Sequence, residues 1–401
     1  MTRFRWSAGW LCFLPVAALA QIDPVKRDLV QLGYDAALQG HAPLAGYAFY
    51  YRNDPGFLRT NLTLRLAVAP VYLDSELGVS RVLGERTDIG IGLAGGGFAD
   101  SYSEVREGKY LRKESFLGHS SEGSLSLYHL FNPERQIPLN FVLRGSMHHA
   151  FYERDNDTAD DFVVPEDRTS FCVRTGLRWG GREPTLAPSL AMELSAWYEG
   201  EFTTQHEAYG FDGDRRVEPH SHRFWTQALL AYTLPELQHN FYVSLTAGTS
   251  IHADRFSAYR LGALLPLASE FPLSLPGYYH QELSARQFVL LGGNYLLPLD
   301  AKQRWSLSVG AATALVDYLP GTAQAGHSHS GVGAGLLYRS PADTLKVMVM
   351  YGYGVDAIRD GHRGAHSIGM LLQVDLNQAR GALLNPENPD RWRGWQRLLG
   401  I

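Results

Sequence analysis

The sequence predicts an all-β fold, a transmembrane antiparallel β-barrel of about sixteen strands followed by a short C-terminal amphipathic tail. Three observations predict it. Near the C-terminal end Ile368, Met370, Leu372, Val374 and Leu376 alternate with Ser367, Gly369, Leu371, Gln373 and Asp375, and a two-residue period sends the two sets to opposite faces of a strand. Similar alternation recurs upstream at fairly regular spacing. The chain also opens with an export signal: Arg3 and Arg5, an apolar stretch over Ala8 to Val16, and the small-residue site Ala18-Leu19-Ala20 before Gln21.

Residues 1–20 read as a leader, its apolar stretch too short to span a bilayer. Cys12 falls inside it, so Cys172 is the only cysteine of the mature chain, and no disulfide or cysteine metal site can form within one chain. Without the leader 34 basic residues face 41 acidic ones, a charge of −7, which gives no nucleic-acid footprint. No linker, charge block or low-complexity stretch divides the remainder, so residues 21–377 read as one unit and 378–401 as a tail. Forty-one glycines, 12% aromatics and the lack of an apolar run of about 18 residues exclude helical spans and suit strands whose alternate side chains face a polar lumen.

Taken backward from the final strand, the alternation predicts strands at Leu345 to Asp356, Gly331 to Arg339, Trp305 to Tyr318, Ser284 to Pro298, Phe241 to Ser250 and Phe224 to Leu234. Further strands follow at Ala191 to Tyr198, Phe171 to Trp179, Asn140 to Phe151, Ser124 to Phe131 and Thr87 to Ala94, with weaker ones at Leu29 to Leu38, Ala45 to Tyr51, Leu62 to Val68 and Ser75 to Leu83. In the Trp305 strand, Leu307, Val309 and Leu315 suit lipid while Ser306, Ser308 and Gly310 suit a lumen. Connections supply an independent test, because outer-membrane barrels alternate short periplasmic turns with longer outer loops. Short segments such as 299–304 and 340–344 here alternate with long ones at 99–123, 153–170, 203–223, 253–283, 319–330 and 357–365. That alternation favours an even strand number, a periplasmic chain end and a place in the outer membrane of a Gram-negative-type bacterium.

The long segment 253–283 holds Leu275-Pro276-Gly277-Tyr278-Tyr279-His280-Gln281-Glu282, and five strands, counting the one that follows it, close the chain. With Phe288-Val289-Leu290-Leu291-Gly292-Gly293-Asn294-Tyr295, Gly331-Val332-Gly333-Ala334-Gly335 and Arg339-Ser340-Pro341, residues 253–377 resemble the barrel of the BamA/TamA outer-membrane assembly family, the bacterial surface antigen type. The resemblance implies that the loop tip, Pro276, Gly277, Tyr278, Tyr279 and Glu282, inserts into the lumen, and that the role is outer-membrane protein or lipid assembly or transport. Pro276 stands where the family has a loop arginine that anchors to a lumen carboxylate; Arg286 with Asp317 is the candidate substitute. About eight residues separate Gln21 from the first strand candidate, leaving no room there for the family's POTRA domains. The expected partners are therefore outer-membrane lipids, the barrel-assembly machinery during insertion and, as one route to client capture, a separate periplasmic protein; no cofactor is expected.

Ser367, Gly369, Leu372 and Val374 also fit the pattern by which barrels are recognised for insertion. Beyond them Asp390 can cap a short helix that carries Trp392 and Trp395 near one face, an interfacial pattern. Two readings of other classes compete with the assembly role. A gated or passive porin would use the lumen charges Arg144, Arg174, Arg178, Glu193, Glu199, Arg339, Lys346 and Asp356, although mixed signs also fit a closed, ion-paired interior. An outer-membrane lipid hydrolase would need His327-Ser328-His329-Ser330 to bring a base to a hydroxyl; the stretch reads more simply as loop. The acidic segment from Glu153 to Asp167 lacks the EF-hand glycine and reads as a solvated loop.

Overall fold

The computed structural model of the chain describes residues 25–378 except 136, 182–186, 189, 267–270 and 342. Residues 1–20, expected as a leader, and the tail segment with Trp392 and Trp395 lie outside the described residues. Sixteen strands form the barrel: β1 Arg27–Ala37, β2 Ala45–Pro55, β3 Leu62–Val68, β4 Tyr72–Val79, β5 Thr87–Gly96, β6 Phe116–Leu130, β7 Leu139–Arg154 and β8 Arg168–Gly181. The second half comprises β9 Leu190–Thr203, β10 His220–Thr233, β11 Asn240–Ile251, β12 Leu283–Pro298, β13 Trp305–Tyr318, β14 Ser328–Arg339, β15 Leu345–Arg359 and β16 His362–Asp375. Each pairs antiparallel with the next, and β16 returns to β1 over the register Leu29↔Asp375 to Ala37↔Ser367. A short strand, Tyr259–Leu261, adds to the outer end of β12, and Val105–Arg106 pairs with Lys109–Tyr110 above the rim.

The faces follow the two-residue period. Leu125, Val173, Leu194, Val243, Val309, Val349 and Met370 point outward, each at least 40% exposed, which is far more contiguous apolar surface than a water-soluble protein tolerates. Aromatic residues ring both margins: Trp179, Phe241 and Trp305 at the periplasmic strand ends, Phe151, Phe171 and Phe202 at the outer ends. An apolar band between two aromatic girdles is the exterior of an outer-membrane barrel. No described helix is long and apolar enough to cross a membrane; the crossing is made by strands.

The structure differs from the sequence reading at several strand ends. Segment 357–365, expected as an outer loop, is a hairpin in which Asp360 and Gly361 both take positive φ, 50° and 80°. That is the backbone of a two-residue type I′ turn. Polar residues above the bilayer face water on both sides, so the apolar alternation that marks a strand fades there although the ladder continues. For the same reason β6 starts at Phe116 rather than Ser124. The expected strand Ser75 to Leu83 is Tyr72–Val79, because Arg81 leaves the ladder to bond Asp88 Oδ1 at 3.0 Å.

In a Cys172→Ser background, a membrane-partitioned thiol reagent is expected to label cysteines placed at Leu307 or Val349 and to leave those at Ser308 or Met348 unlabelled; the reverse pattern would invert the two faces of the wall.

Candidate functional site: an outer loop seated in the lumen

The described residues of 252–282, between β11 and β12, turn back over the barrel mouth and carry a backbone ladder of their own. The Gly262, Ala263 and Leu275 N–H groups donate to the carbonyls of Leu273, Tyr279 and Ala263 at 3.0, 3.1 and 2.8 Å. This internal ladder satisfies backbone groups that enter the barrel and presents the tip as a preformed wedge. Leu275, Tyr278 and Tyr279 are at most 2% exposed. The tip rests on the inner wall of β14–β16, where small residues make room. Gly277 has φ +83°, and a Cβ there would overlap Gly354 N, just as one at Gly331 would strike the Pro276 carbonyl oxygen. Gly277 N–H donates to Ser367 Oγ at 3.2 Å. Tyr278 Oη lies 3.0 Å from His329 Nδ1, and the Tyr318 hydroxyl meets the other ring nitrogen.

One buried ion pair locks the wedge to the wall. Arg359 of β15 donates from Nη1 and Nη2 to Glu282 Oε1 and Oε2 at 2.9 and 2.8 Å, a two-pronged pair with both side chains at most 3% exposed. Nη2 also donates to the Gly277 carbonyl at 3.2 Å, and the guanidinium lies 3.6 Å from the Tyr279 ring centroid. Glu282 in turn accepts Tyr279 N–H at 2.8 Å. The planar fork of arginine suits this combination of carboxylate, carbonyl and ring face. The polarity is therefore exchanged relative to the expected anchor: the loop supplies the carboxylate and the wall supplies the arginine.

Arg286 and Asp317 do pair, at 2.6 Å, but they join neighbouring strands rather than the loop. Asp317 stands between the inward Val316 and Tyr318, and both partners are about half exposed at 50% and 45%. Sequence reasoning missed Arg359 because alternation from Met348 through Gly354 predicts Asp356 inward and Arg359 outward. A register shift between Gly354 and Ile358 reverses the parity, burying Ala357 and Arg359. Bulges of this kind re-aim side chains at barrel rims. Asp356, expected in the lumen, instead accepts Ser330 N–H at 3.0 Å. Glu282, inside an otherwise apolar tip, was the available signal that a cation must wait opposite.

Above the wedge the outer loops form a cap. Phe116, Phe162 and Tyr209 are buried together, and Arg215, 1% exposed, pairs with Glu114 and, at 3.5 Å, with the fully buried Glu104. Arg255 of the long loop reaches the same Glu104 at 3.0 Å. The acidic segment joins this cap: Thr158 donates to the Ser115 carbonyl at 2.7 Å, and Asp157 pairs with Arg112 at 3.1 Å. Burial pushes the Tyr102 phenol up to about 12. Burial, and then the Arg260 cation, push His280 down to about 4, so its ring is neutral at physiological pH.

Beneath cap and wedge the lumen is a cavity of about 2590 Å³, lined from Arg27, Asn53 and Asn140 at the periplasmic rim to Tyr102 and Phe256 at the cap. Its two sides differ. On one, Glu122 pairs with Arg144 at 2.7 Å, Glu199 with Arg174 at 2.6 Å and Glu193 with Arg178 at 3.4 Å. On the other lie Leu264, Leu265, Met348, Met350 and Leu371. On β16, Ser367 and Gly369 face this interior, against Gly277 and Leu265, while Leu372 and Val374 face outward. In the His327 stretch, His329 points inward to two tyrosines, whereas Ser328 and Ser330 sit opposite the outward Leu315 and Thr313. A histidine and a serine on opposite faces of one strand cannot share a proton.

Arg359→Met is expected to leave Glu282 charged, buried and unpaired, at a cost of about 3–5 kcal/mol. The loss is read as a lower urea midpoint of the folded, heat-modifiable form, with partial recovery in the Glu282→Gln/Arg359→Met double variant. Gly277→Ala is expected to lift the tip and open residues 252–282 to protease in intact vesicles.

No protein-family model matches the chain, and no curated protein matches it in sequence. Solved structures do match in fold. BamA from Haemophilus ducreyi lacking POTRA domains 1–3 aligns over 86% of this chain and 70% of its own, at 11% identity and a TM-score of 0.53. CdiB from Acinetobacter baumannii aligns over 87% and 60%, at 11% identity and 0.53, and CdiB from Escherichia coli over 88% and 63%, at 14% identity and 0.56. The chain thus spans less than two thirds of the CdiB chains. It is an outer-membrane β-barrel with the sixteen-stranded fold of BamA and CdiB.

Proposed function

We propose that this barrel serves the assembly or transport of outer-membrane proteins or lipids, with the 252–282 loop as a fixed internal element and client capture performed by a separate periplasmic protein. The observation that carries the reading is the wedge itself, a loop held on the inner wall by the Glu282–Arg359 pair. A buried two-pronged anchor beneath a packed outer cap narrows the open path that a general porin needs. A barrel that works from its periplasmic side needs both: the cap keeps outside solutes out, while the cavity reaches the rim at Arg27 and Asn140. The ion-paired wall, with Arg144, Arg174 and Arg178 each matched to a glutamate, likewise supports a locally neutralised lumen over a field that sorts free ions. Lipids surround the apolar band, and the barrel-assembly machinery would insert the chain, with β16 as the strand it reads.

In planar bilayers the intact protein is expected to show only rare, small openings, and deletion of residues 252–282 to give large, steady ones; ohmic openings from the intact protein would overturn the closed interior. Depletion in the source cell is expected to lower the folded amount of particular outer-membrane proteins or to change the lipid composition of the outer leaflet. An unchanged outer membrane would remove the assembly role and leave the fold unexplained by it.

A further inference from the structure

The lumen pairs its cations consistently, and one of them is left over. Apart from Arg27 at the periplasmic rim, eight arginines line the cavity. Arg65, Arg144, Arg174, Arg178 and Arg223 each meet a wall carboxylate, Arg255 meets Glu104, and Arg260 donates to the carbonyls of Ser103 and Gln281 at 2.7 and 2.8 Å. Arg168, the eighth, has neither kind of acceptor among the described residues. It opens β8 at the outer end of the lumen, opposite Ala150 of β7. The side chain is only 7% exposed, and its Nε is buried without a hydrogen-bond partner.

Rings hold this guanidinium in place. Its centre lies 3.9 Å from the Phe256 ring centroid and 5.7 Å from that of Tyr152, and Phe256 is itself packed among Tyr102, Phe116 and Tyr209 of the cap. Stacking occupies a face of the guanidinium and leaves its edge free, because the N–H groups lie in the plane of the fork. The attraction between cation and ring offsets only part of the cost of burying the charge. Tyr152 adds a second donor, since its hydroxyl makes no hydrogen bond among the described residues. Both side chains line the cavity. A carboxylate takes two N–H groups of such a fork in one plane, and Tyr102, Tyr152 and Phe256, which line the same end of the cavity, offer ring surface to an apolar body.

Two acidic residues set the charge that the site accepts. Asp100 is engaged by His148 at 2.7 Å. Glu201 of β9 stands opposite Cys172, four residues along β8 from Arg168, so the two backbones are about 14 Å apart. It forms no ion pair among the described residues, and its charge repels a second anionic group on any ligand. We infer that Arg168 and Tyr152 form a binding site beneath the cap for a small monocarboxylate with an apolar or aromatic body, which enters by the periplasmic mouth. The site needs the closed cap and the open rim but not the assembly role, so the two readings fail separately.

The test is binding of para-fluorobenzoate to the full-length protein in detergent, read as fluorine NMR line broadening against empty micelles, with heat-modifiable mobility to verify folding. Acetate is expected to compete, and neutral para-fluorobenzamide to bind no better than to empty micelles. Arg168→Gln is expected to weaken binding about tenfold, as loss of a charge-assisted pair does, and Tyr152→Phe about threefold. Glu201→Gln is expected to tighten it about threefold by removing the repelling charge. Opposite shifts at 168 and 201 are not what two merely structural residues would give. Equal affinity in Arg168→Gln and the unaltered protein, or no broadening by the unaltered protein beyond empty micelles, would overturn the site. If Arg168→Gln does not fold, unchanged affinity in both Tyr152→Phe and Glu201→Gln overturns it instead.

Discussion

Every strand that crosses a bilayer must have both edges paired, because hydrocarbon offers no partner to a free N–H or carbonyl group. Most of this structure follows from that constraint. It requires that the sheet close, which β1 and β16 accomplish over nine residue pairs. It sets an antiparallel ladder in which one face of each strand is lipid and the other lumen. It also explains why the long loop carries its own backbone hydrogen bonds when it turns into the barrel.

Within the closed wall the second organising interaction is electrostatic. Two buried charges cannot be left apart in such an interior, and a pair that is broken on one side costs more than one never made. Glu282 and Arg359 therefore act together, and the glycines beneath the tip let backbone approach backbone closely enough for the fork to reach. The exchange of acid and base between loop and wall, relative to the anchor that the family resemblance implies, leaves the attraction intact because Coulomb energy is symmetric in its partners. A wedge of this design needs only that the two charges face each other at short range. The cap repeats the principle with Arg215 and Arg255 on Glu104.

How much of this was legible in the sequence can be judged from particular residues. Leu307, Val309 and Leu315 declared the lipid face of β13, and Ser306 and Ser308 the lumen face, because alternation is a local property of neighbouring residues. The tip residues were named from a motif, and in the structure Gly277 and Tyr278 lie against β14 to β16. The hairpin at Asp360-Gly361 and the outer end of β6 were not, since in water neither face of a strand needs to be apolar. Arg286 with Asp317 was a reasonable anchor by charge, and the pair exists, but it faces outward.

The sequence by itself determined the class of the protein, roughly how many crossings it makes and which side chains of the regular strands face lipid, because a period of two can be read along each strand alone. Only the tertiary structure decided which arginine meets Glu282, since the register irregularity between Gly354 and Ile358 turns Ala357 and Arg359 inward. Only the structure, too, revealed that Arg168 has no such partner among the described residues, because pairing across a lumen is a comparison among strands that chain order does not make.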